Sequence, residues 1–139
     1  MKKDTSNTSS TQYGQGDATY RAVGGAEGLK KLVNDFYDKM ETMPRAKNIR
    51  DMHAEDLTET RDKLYCFLSG WMGGPTLYKE KYGSINIPQA HKHLDIGEEE
   101  RDAWMCCMRN ALKNQPYPEE LKNYLLQQLS IPAEACRTK

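Results

Sequence analysis

Hydrophobic residues recur along much of the chain at the spacing of an amphipathic helix. In the clearest stretch, apolar side chains stand at positions i, i+3, i+4, i+7, i+8 and i+11, which places them on one helix face. They are Leu29, Leu32, Val33, Phe36, Tyr37 and Met40. Pro44 ends this predicted helix, because the residue before a proline avoids helical geometry. No strand pattern with a period of two persists, so the sequence predicts an all-α fold.

Three further long helices are predicted from their boundaries and their apolar positions. One begins with a capping box formed by Asp56 and Glu59 and ends at the Gly-Gly-Pro of residues 73–75. The next begins after Gly97, where three successive glutamates favour the positive end of the helix dipole. The last begins near Pro118, because proline suits a first helical turn.

The segment between the second and third of these four helices is rich in glycine and weakly patterned. We expect residues 76–97 to be mostly loop, with one short helix near Pro88–His93. A connection of this length inside a compact domain usually serves a function.

The two ends of the sequence differ in composition. Residues 1–17 are rich in Ser, Thr, Asn, Gln and Gly, so we expect a disordered arm there and a single folded domain over residues 18–139. The first lysines are not followed by an apolar segment, and no stretch approaches the roughly 20 apolar residues of a membrane span. We therefore expect a cytoplasmic protein that does not bind a membrane.

Charge and cysteine content exclude several classes of function. Lys and Arg total 20, Asp and Glu total 20, and the net charge is zero. This balance gives no electrostatic reason to expect nucleic acid as a partner. The four cysteines contain no CxxC spacing, so they predict neither a zinc site nor a disulfide framework. We expect reduced thiols.

Candidate chemistry rests on the three histidines, His53, His91 and His93. One axial histidine is enough to hold haem iron, whereas zinc needs three or four ligands in fixed geometry. Tyr37 and Trp104 lie on inner helix faces and carry O–H and N–H donors that suit a small polar ligand. Taken alone, these residues also fit ordinary surface histidines and core aromatics, so both interpretations stay open at this point.

A series of motifs in order resembles one family. The motifs are YRAVGG at 20–25, FYDKM at 36–40, EDLTET at 55–60, FLSGWMGGP at 67–75, Tyr78, Gly83, His91, Ile96 and ERDAWMCCM at 100–108. This ordered set resembles the truncated haemoglobins of the second group and spans nearly all of the predicted domain. The resemblance implies a globin-like fold, shortened to a two-over-two helical sandwich around haem b (iron protoporphyrin IX). It also implies that the paired glycines at 24–25 and 73–74 allow positive φ at helix joints.

The resemblance assigns roles to individual residues. His91 matches the proximal iron ligand of the family. Other expected haem contacts are Leu64, Phe67, Tyr78 and Trp104, with Tyr78 near a propionate and Phe36 packing the core nearby. The expected distal residues, which face the gas, are Tyr37, His53, Thr60, Leu64 and Trp104.

Two positions depart from the family pattern. Ala90 stands where relatives usually carry an arginine that pairs with a propionate, and Leu94 stands where they commonly have phenylalanine. Lys92 and His93 are the candidates for replacing that arginine. Neither departure removes the iron ligand.

The leading functional hypothesis is reversible binding of dioxygen at a five-coordinate iron, with slow release, because several donors surround one small ligand. Nitric oxide, carbon monoxide and peroxide are further candidate ligands. The alternative is an enzyme that uses the same site for nitric oxide detoxification or peroxidase-like chemistry with an external reductase. A third interpretation is a helical interaction module without haem, which would be colourless. In the empty state, Tyr37 or His53 is a candidate for the sixth iron position.

Overall fold

The computed structural model describes residues 13–84 and 86–139. Within these ranges the chain forms eight α-helices, and a 3₁₀ helix at Pro44–Ala46 joins the second to the third. The helices are α1 (Ala18–Ala22), α2 (Gly25–Thr42), α3 (Lys47–Asp51), α4 (Thr58–Trp71), α5 (Leu77–Tyr82), α6 (Ile87–His91), α7 (Glu98–Lys113) and α8 (Glu119–Ala135).

The long helices pack as two pairs. Helix α2 packs on α4, α7 packs on α8, and the pairs meet where α2 contacts α7. The apolar face predicted for α2 is buried along its whole length. Because the regular elements of the described residues are all helices and pack in these two pairs, the all-α two-over-two sandwich is confirmed. Among the helices that the structure describes, none has the length and apolar character needed to traverse a bilayer.

Backbone geometry defines both ends of α2. Gly24 and Gly25 have φ values of 99° and 66°, which a residue with a Cβ rarely adopts. At the other end, Met43 is extended, with φ −87° and ψ 122°, because Pro44 follows it. The helix therefore runs from Gly25 to Thr42, close to the predicted limits.

A close approach between the α1–α2 joint and the first turn of α2 requires a glycine. A Cβ at Gly28 would lie 1.9 Å from the carbonyl oxygen of Val23. That oxygen also accepts a hydrogen bond of 2.9 Å from the hydroxyl of Tyr117, so the backbone there is held from two sides. The Val23 carbonyl cannot move away from position 28 without breaking its hydrogen bond to Tyr117.

We therefore expect Gly28→Ala to lower the free energy of unfolding by about 3 kcal/mol, the cost of forcing extra volume into a packed site. Urea denaturation followed by circular dichroism measures it. Gly70→Ala in α4 is the matched control, because a Cβ there would meet only ordinary contacts at 3.5 Å or more. The control should be neutral or slightly stabilising. Equal urea midpoints for wild type and Gly28→Ala would contradict this account.

The start of α4 differs in detail from the prediction. The helix begins at Thr58, and the Asp56 carboxylate accepts hydrogen bonds from the Thr58 backbone N–H at 2.9 Å and from the Thr58 hydroxyl at 2.7 Å. The predicted capping box of Asp56 with Glu59 is therefore wrong. The start of α7 is as predicted, since the Glu100 carboxylate accepts a bond of 2.7 Å from the Gly97 N–H.

In its described residues, the connection at 76–97 contains two short helices rather than one. Helix α6 confirms the prediction near Pro88, and the Asn86 side chain caps it by accepting a hydrogen bond of 3.0 Å from the Gln89 N–H. Helix α5 was not predicted. Tertiary contacts stabilise it, because the Tyr82 hydroxyl donates to Asp62 of α4 at 2.6 Å.

The glycine pair after α4 serves two different purposes. Gly73 has φ 90°, as expected for a residue at a helix joint. Gly74 does not have a positive φ, so that part of the prediction is wrong. Instead, a Cβ on Gly74 would lie 2.5 Å from the ring of Tyr20, and glycine allows α1 to approach this turn.

The predicted arm lies mainly outside the described residues, which begin at Tyr13. Residues 13–17 form turns, and the Tyr13 ring packs 5.1 Å from that of Tyr124 on α8. The Gly14 N–H donates to the Thr19 hydroxyl at 2.8 Å. The boundary between arm and domain stays a prediction.

Candidate functional site

A cavity of about 360 Å³ opens between the helix pairs. Its walls come from α2, α4, α5, α6, α7 and α8, from the segment around α3 and from residues that follow α6 and α8. The predicted site residues that line it are Tyr37, His53, Thr60, Leu64, Phe67, Tyr78, His91 and Trp104. Thus eight residues that are far apart in the sequence surround one space. Its size is in the range of cofactor and small-molecule pockets.

His91 is the last residue of α6 and is half-buried. Its Nδ1 lies 2.8 Å from the carbonyl oxygen of Ile87. Because a carbonyl only accepts, Nδ1 must carry the proton and donate it. The neutral ring therefore keeps its lone pair on Nε2, the form in which histidine binds a metal, and the Ile87 carbonyl supplies the backbone partner typical of such ligands.

Tyr37 presents a polar group that has no protein partner in the described part of the chain. Its side chain is only 4% exposed, and its hydroxyl bonds to none of the described residues. Burial raises the pKa of Tyr37 well above its usual value, and the positive charge of the nearby Arg61 makes a smaller, opposing contribution. The phenol stays protonated and can donate, and a buried donor without a partner suits a ligand in the cavity.

His53, one of the expected distal residues, is oriented by a hydrogen bond to the backbone. Its Nδ1 donates to the Ile49 carbonyl at 2.7 Å, so Nε2 is an acceptor in the neutral ring. Burial holds the pKa of His53 below its usual value, with a smaller contribution from the Arg50 charge, although the bond to Ile49 opposes the shift. The ring lies 5.9 Å from that of Tyr37. His53 is therefore placed as an acceptor beside Tyr37.

Trp104 and Tyr37 are held by the same buried ring. Phe36 is fully buried, and its centroid lies 4.9 Å from both the Tyr37 and the Trp104 rings. Phe36 does not line the cavity but packs behind these two residues, which agrees with its expected place in the core. The cluster restricts how far either aromatic side chain can move.

Helix α4 supplies one wall with three residues at helical spacing. Thr60, Leu64 and Phe67 stand at i, i+4 and i+7, which brings them to one face. The lining is therefore mainly apolar on this side, and its polar groups are the short hydroxyl of Thr60 and the ammonium of Lys63. Leu94, the residue that departs from the family pattern, also lines the cavity.

Arg61 is a neighbour of the site that the sequence analysis did not identify. Its guanidinium lies 5.7 Å from the centroid of the Tyr37 ring and donates to the Asn34 carbonyl and to Asp38 at 3.1 Å each. It thereby ties α4 to α2 alongside Tyr37. No sequence signal marks it, because its partners lie 23 and 27 residues away.

The cationic side chains at the cavity are not those expected. Lys92 and His93 are exposed and do not belong to the lining. Among the described residues, Lys63 and Arg101 are the Lys and Arg side chains that line the cavity. Arg101 is already paired with Asp102 and Glu134, whereas Lys63 is 47% exposed and only loosely paired with Glu59, at 3.6 Å.

These features fit the haem that the resemblance implies. The lining is mostly apolar, which suits a flat porphyrin, and His91 Nε2 offers a lone pair to iron. Lys63 and Tyr78 offer polar groups to the carboxylates of haem. The hydroxyl of Tyr37, which bonds to none of the described residues, is available to a ligand on the metal.

Comparison with known proteins gives the same family. The model of the bacterial-like globin family matches residues 18–137. The group 2 truncated hemoglobin YjbI of Bacillus subtilis is 35% identical over 117 residues, covering 84% of this chain and 86% of the relative.

Solved structures agree with the sequence match. A cold-adapted truncated haemoglobin from Pseudoalteromonas haloplanktis TAC125 superposes with a TM-score of 0.83 at 34% identity, covering 87% of this chain and 98% of that one. A truncated oxygen-avid haemoglobin from Bacillus subtilis gives a TM-score of 0.77 at 33% identity, covering 86% and 98%. The chain therefore belongs to the bacterial-like globins, as a group II truncated haemoglobin that binds haem b and, through it, small gases.

Proposed function

We propose that this protein binds dioxygen reversibly and releases it slowly, with His91 as the proximal ligand of a five-coordinate haem iron. The observation that carries the proposal is the buried hydroxyl of Tyr37, which bonds to none of the described residues and belongs to the same cavity as His91. The likeness to an oxygen-avid haemoglobin from Bacillus subtilis supports it.

Haem supplies the iron that forms the bond to the gas. The chain supplies the donors. We infer that the Tyr37 O–H and the Trp104 N–H point at the gas, because both residues line the cavity and both are anchored by Phe36. We infer that His53 acts through Tyr37 by packing, because its ring lies 5.9 Å from that of Tyr37 and restricts its movement, while its N–H is used by the Ile49 carbonyl.

The remaining side chains exclude water and orient the cofactor. Leu64 and Phe67 form an apolar wall that keeps water from the gas, while Thr60 is too small to block access. We further propose that Lys63 replaces the arginine absent at position 90, because it is the cation at the cavity that is least neutralised by carboxylates. Tyr78 then contacts the same end of the cofactor.

A visible spectrum tests this proposal. The purified ferrous protein should change its spectrum when dioxygen is added and return to the starting spectrum when the gas is removed, over repeated cycles. Carbon monoxide should compete for the same site. Oxidation to the ferric form at the first exposure to dioxygen, without a reversible phase, would contradict reversible binding.

A further inference from the structure

The segment that carries His91 has little support of its own. Helix α6 is only five residues long, and the turn after it is closed by a local bond of 2.9 Å from the Leu94 N–H to the His91 carbonyl. The side chains of Pro88 and Gln89 on this helix are exposed. Such a segment needs an external tether if His91 is to hold a fixed position.

The residues after α8 supply that tether. The Thr138 hydroxyl accepts a hydrogen bond of 2.8 Å from the Ile96 N–H and donates one of 2.6 Å to the Leu94 carbonyl. The Thr138 N–H donates to the Ile96 carbonyl at 2.8 Å. One threonine thus uses its hydroxyl as both donor and acceptor and its backbone as a third link.

Lys139 reinforces the contact from the same side. Its N–H donates to the Ile96 carbonyl at 3.2 Å, and its ammonium lies 3.1 Å from Asp95. Within the described residues, every hydrogen bond and ion pair that joins residues 86–96 to a distant part of the chain comes from Thr138 or Lys139. The ion pair is exposed and weak, so among these polar links those of Thr138 provide most of the restraint.

The tethered backbone also forms the cavity wall. Leu94 and Ile96 line the cavity together with His91, and Cys136 lines it from the residues just after α8. Arg137 holds these residues to α8 through Glu134, at 3.0 Å. A displacement of the tether would therefore move the wall next to the histidine.

We propose that Thr138 is a positioning residue for haem binding, acting through Leu94 and Ile96 on the segment that presents His91. The proposal rests on the proposed role of His91 as the iron ligand. It predicts that the Thr138 hydroxyl, rather than the volume of the side chain, sets both the retention of haem and the geometry of the bond between His91 and iron.

The test uses the haem-loaded protein and three variants. Thr138→Val keeps the shape of the side chain and removes the hydroxyl, whereas Thr138→Ser keeps the hydroxyl. Ser130→Ala is the matched control, because its hydroxyl makes one local bond of 2.6 Å to the Gln127 carbonyl and lies outside the cavity lining. The readouts are the rate of haem transfer to excess apomyoglobin and the iron–imidazole stretching band in the resonance Raman spectrum of the ferrous protein.

Thr138→Val should transfer haem about tenfold faster than wild type, because two hydrogen bonds are lost and the Ile96 N–H is left without its partner. Its iron–imidazole band should shift or broaden. Thr138→Ser and Ser130→Ala should match wild type in both measurements. Wild-type behaviour in Thr138→Ser shows that the hydroxyl, and not the packing of the side chain, is responsible.

Wild-type haem transfer together with an unchanged Raman band in Thr138→Val would overturn the proposal. Equal acceleration in Thr138→Val and Ser130→Ala would also overturn it, because it would indicate general destabilisation. A His91→Gly variant with the wild-type Soret band would instead contradict the proposed role of His91 as the iron ligand, on which this inference depends.

Discussion

Replacing Tyr37 or Trp104 with phenylalanine should speed the release of dioxygen by roughly 10-fold to 100-fold in each case. Each substitution keeps an aromatic ring and removes the proposed donor. A hydrogen bond to a charged acceptor contributes about 1.5–3 kcal/mol, and each 1.4 kcal/mol lost from the escape barrier is about tenfold in rate. Stopped-flow replacement of dioxygen by carbon monoxide measures the rate.

The Tyr37→Phe result is the cleaner of the two, because Phe36 lies against the ring itself and should hold phenylalanine in the same place. Tyr65→Phe is the matched control. Like Tyr37→Phe, it removes a phenolic hydroxyl. Tyr65 lies on α4, is half-buried and does not line the cavity. Its release rate should equal that of wild type. If neither Tyr37→Phe nor Trp104→Phe releases dioxygen faster, the two residues are not the donors.

The long helices were predictable because their apolar periodicity is local information. The buried face of α2 follows from spacing alone, and Pro44 fixes its end within two residues. Helix α5 was missed because it is short and its middle residues are charged. The bonds of Tyr82 and Lys81 to Asp62 that support it join residues about 20 positions apart. Sequence periodicity gives no information about such long-range pairs.

The residues of the candidate site could be proposed from the sequence, but their hydrogen-bond partners and nearby charges could not. The family motifs indicated His53 as a site residue, yet which of its ring nitrogens carries the proton depends on the carbonyl of Ile49, which only the fold places beside Nδ1. The positive charge near Tyr37 was likewise not predictable, because Arg61 comes close to Tyr37 only when α4 packs on α2. Lys92 and His93 were candidates because they follow His91 directly in sequence, whereas the described Lys and Arg side chains at the cavity are Lys63 and the already paired Arg101.

The largest effect is expected for His91, because one coordinate bond joins the chain to the metal. We expect His91→Gly to lose haem, or to bind it in an altered state, since no other described residue of α6 offers a metal-binding nitrogen. His93→Gly is the matched control: it removes an imidazole two residues away that is exposed and lies outside the cavity lining. The control should keep the haem content of wild type.

The Soret absorption of purified His91→Gly, compared with that of His93→Gly and wild type at equal protein concentration, tests the coordination most directly. We predict that the band is lost, or moved in wavelength, only in His91→Gly. A His91→Gly protein with the same Soret position and intensity as wild type would contradict the assignment of His91 as the iron ligand.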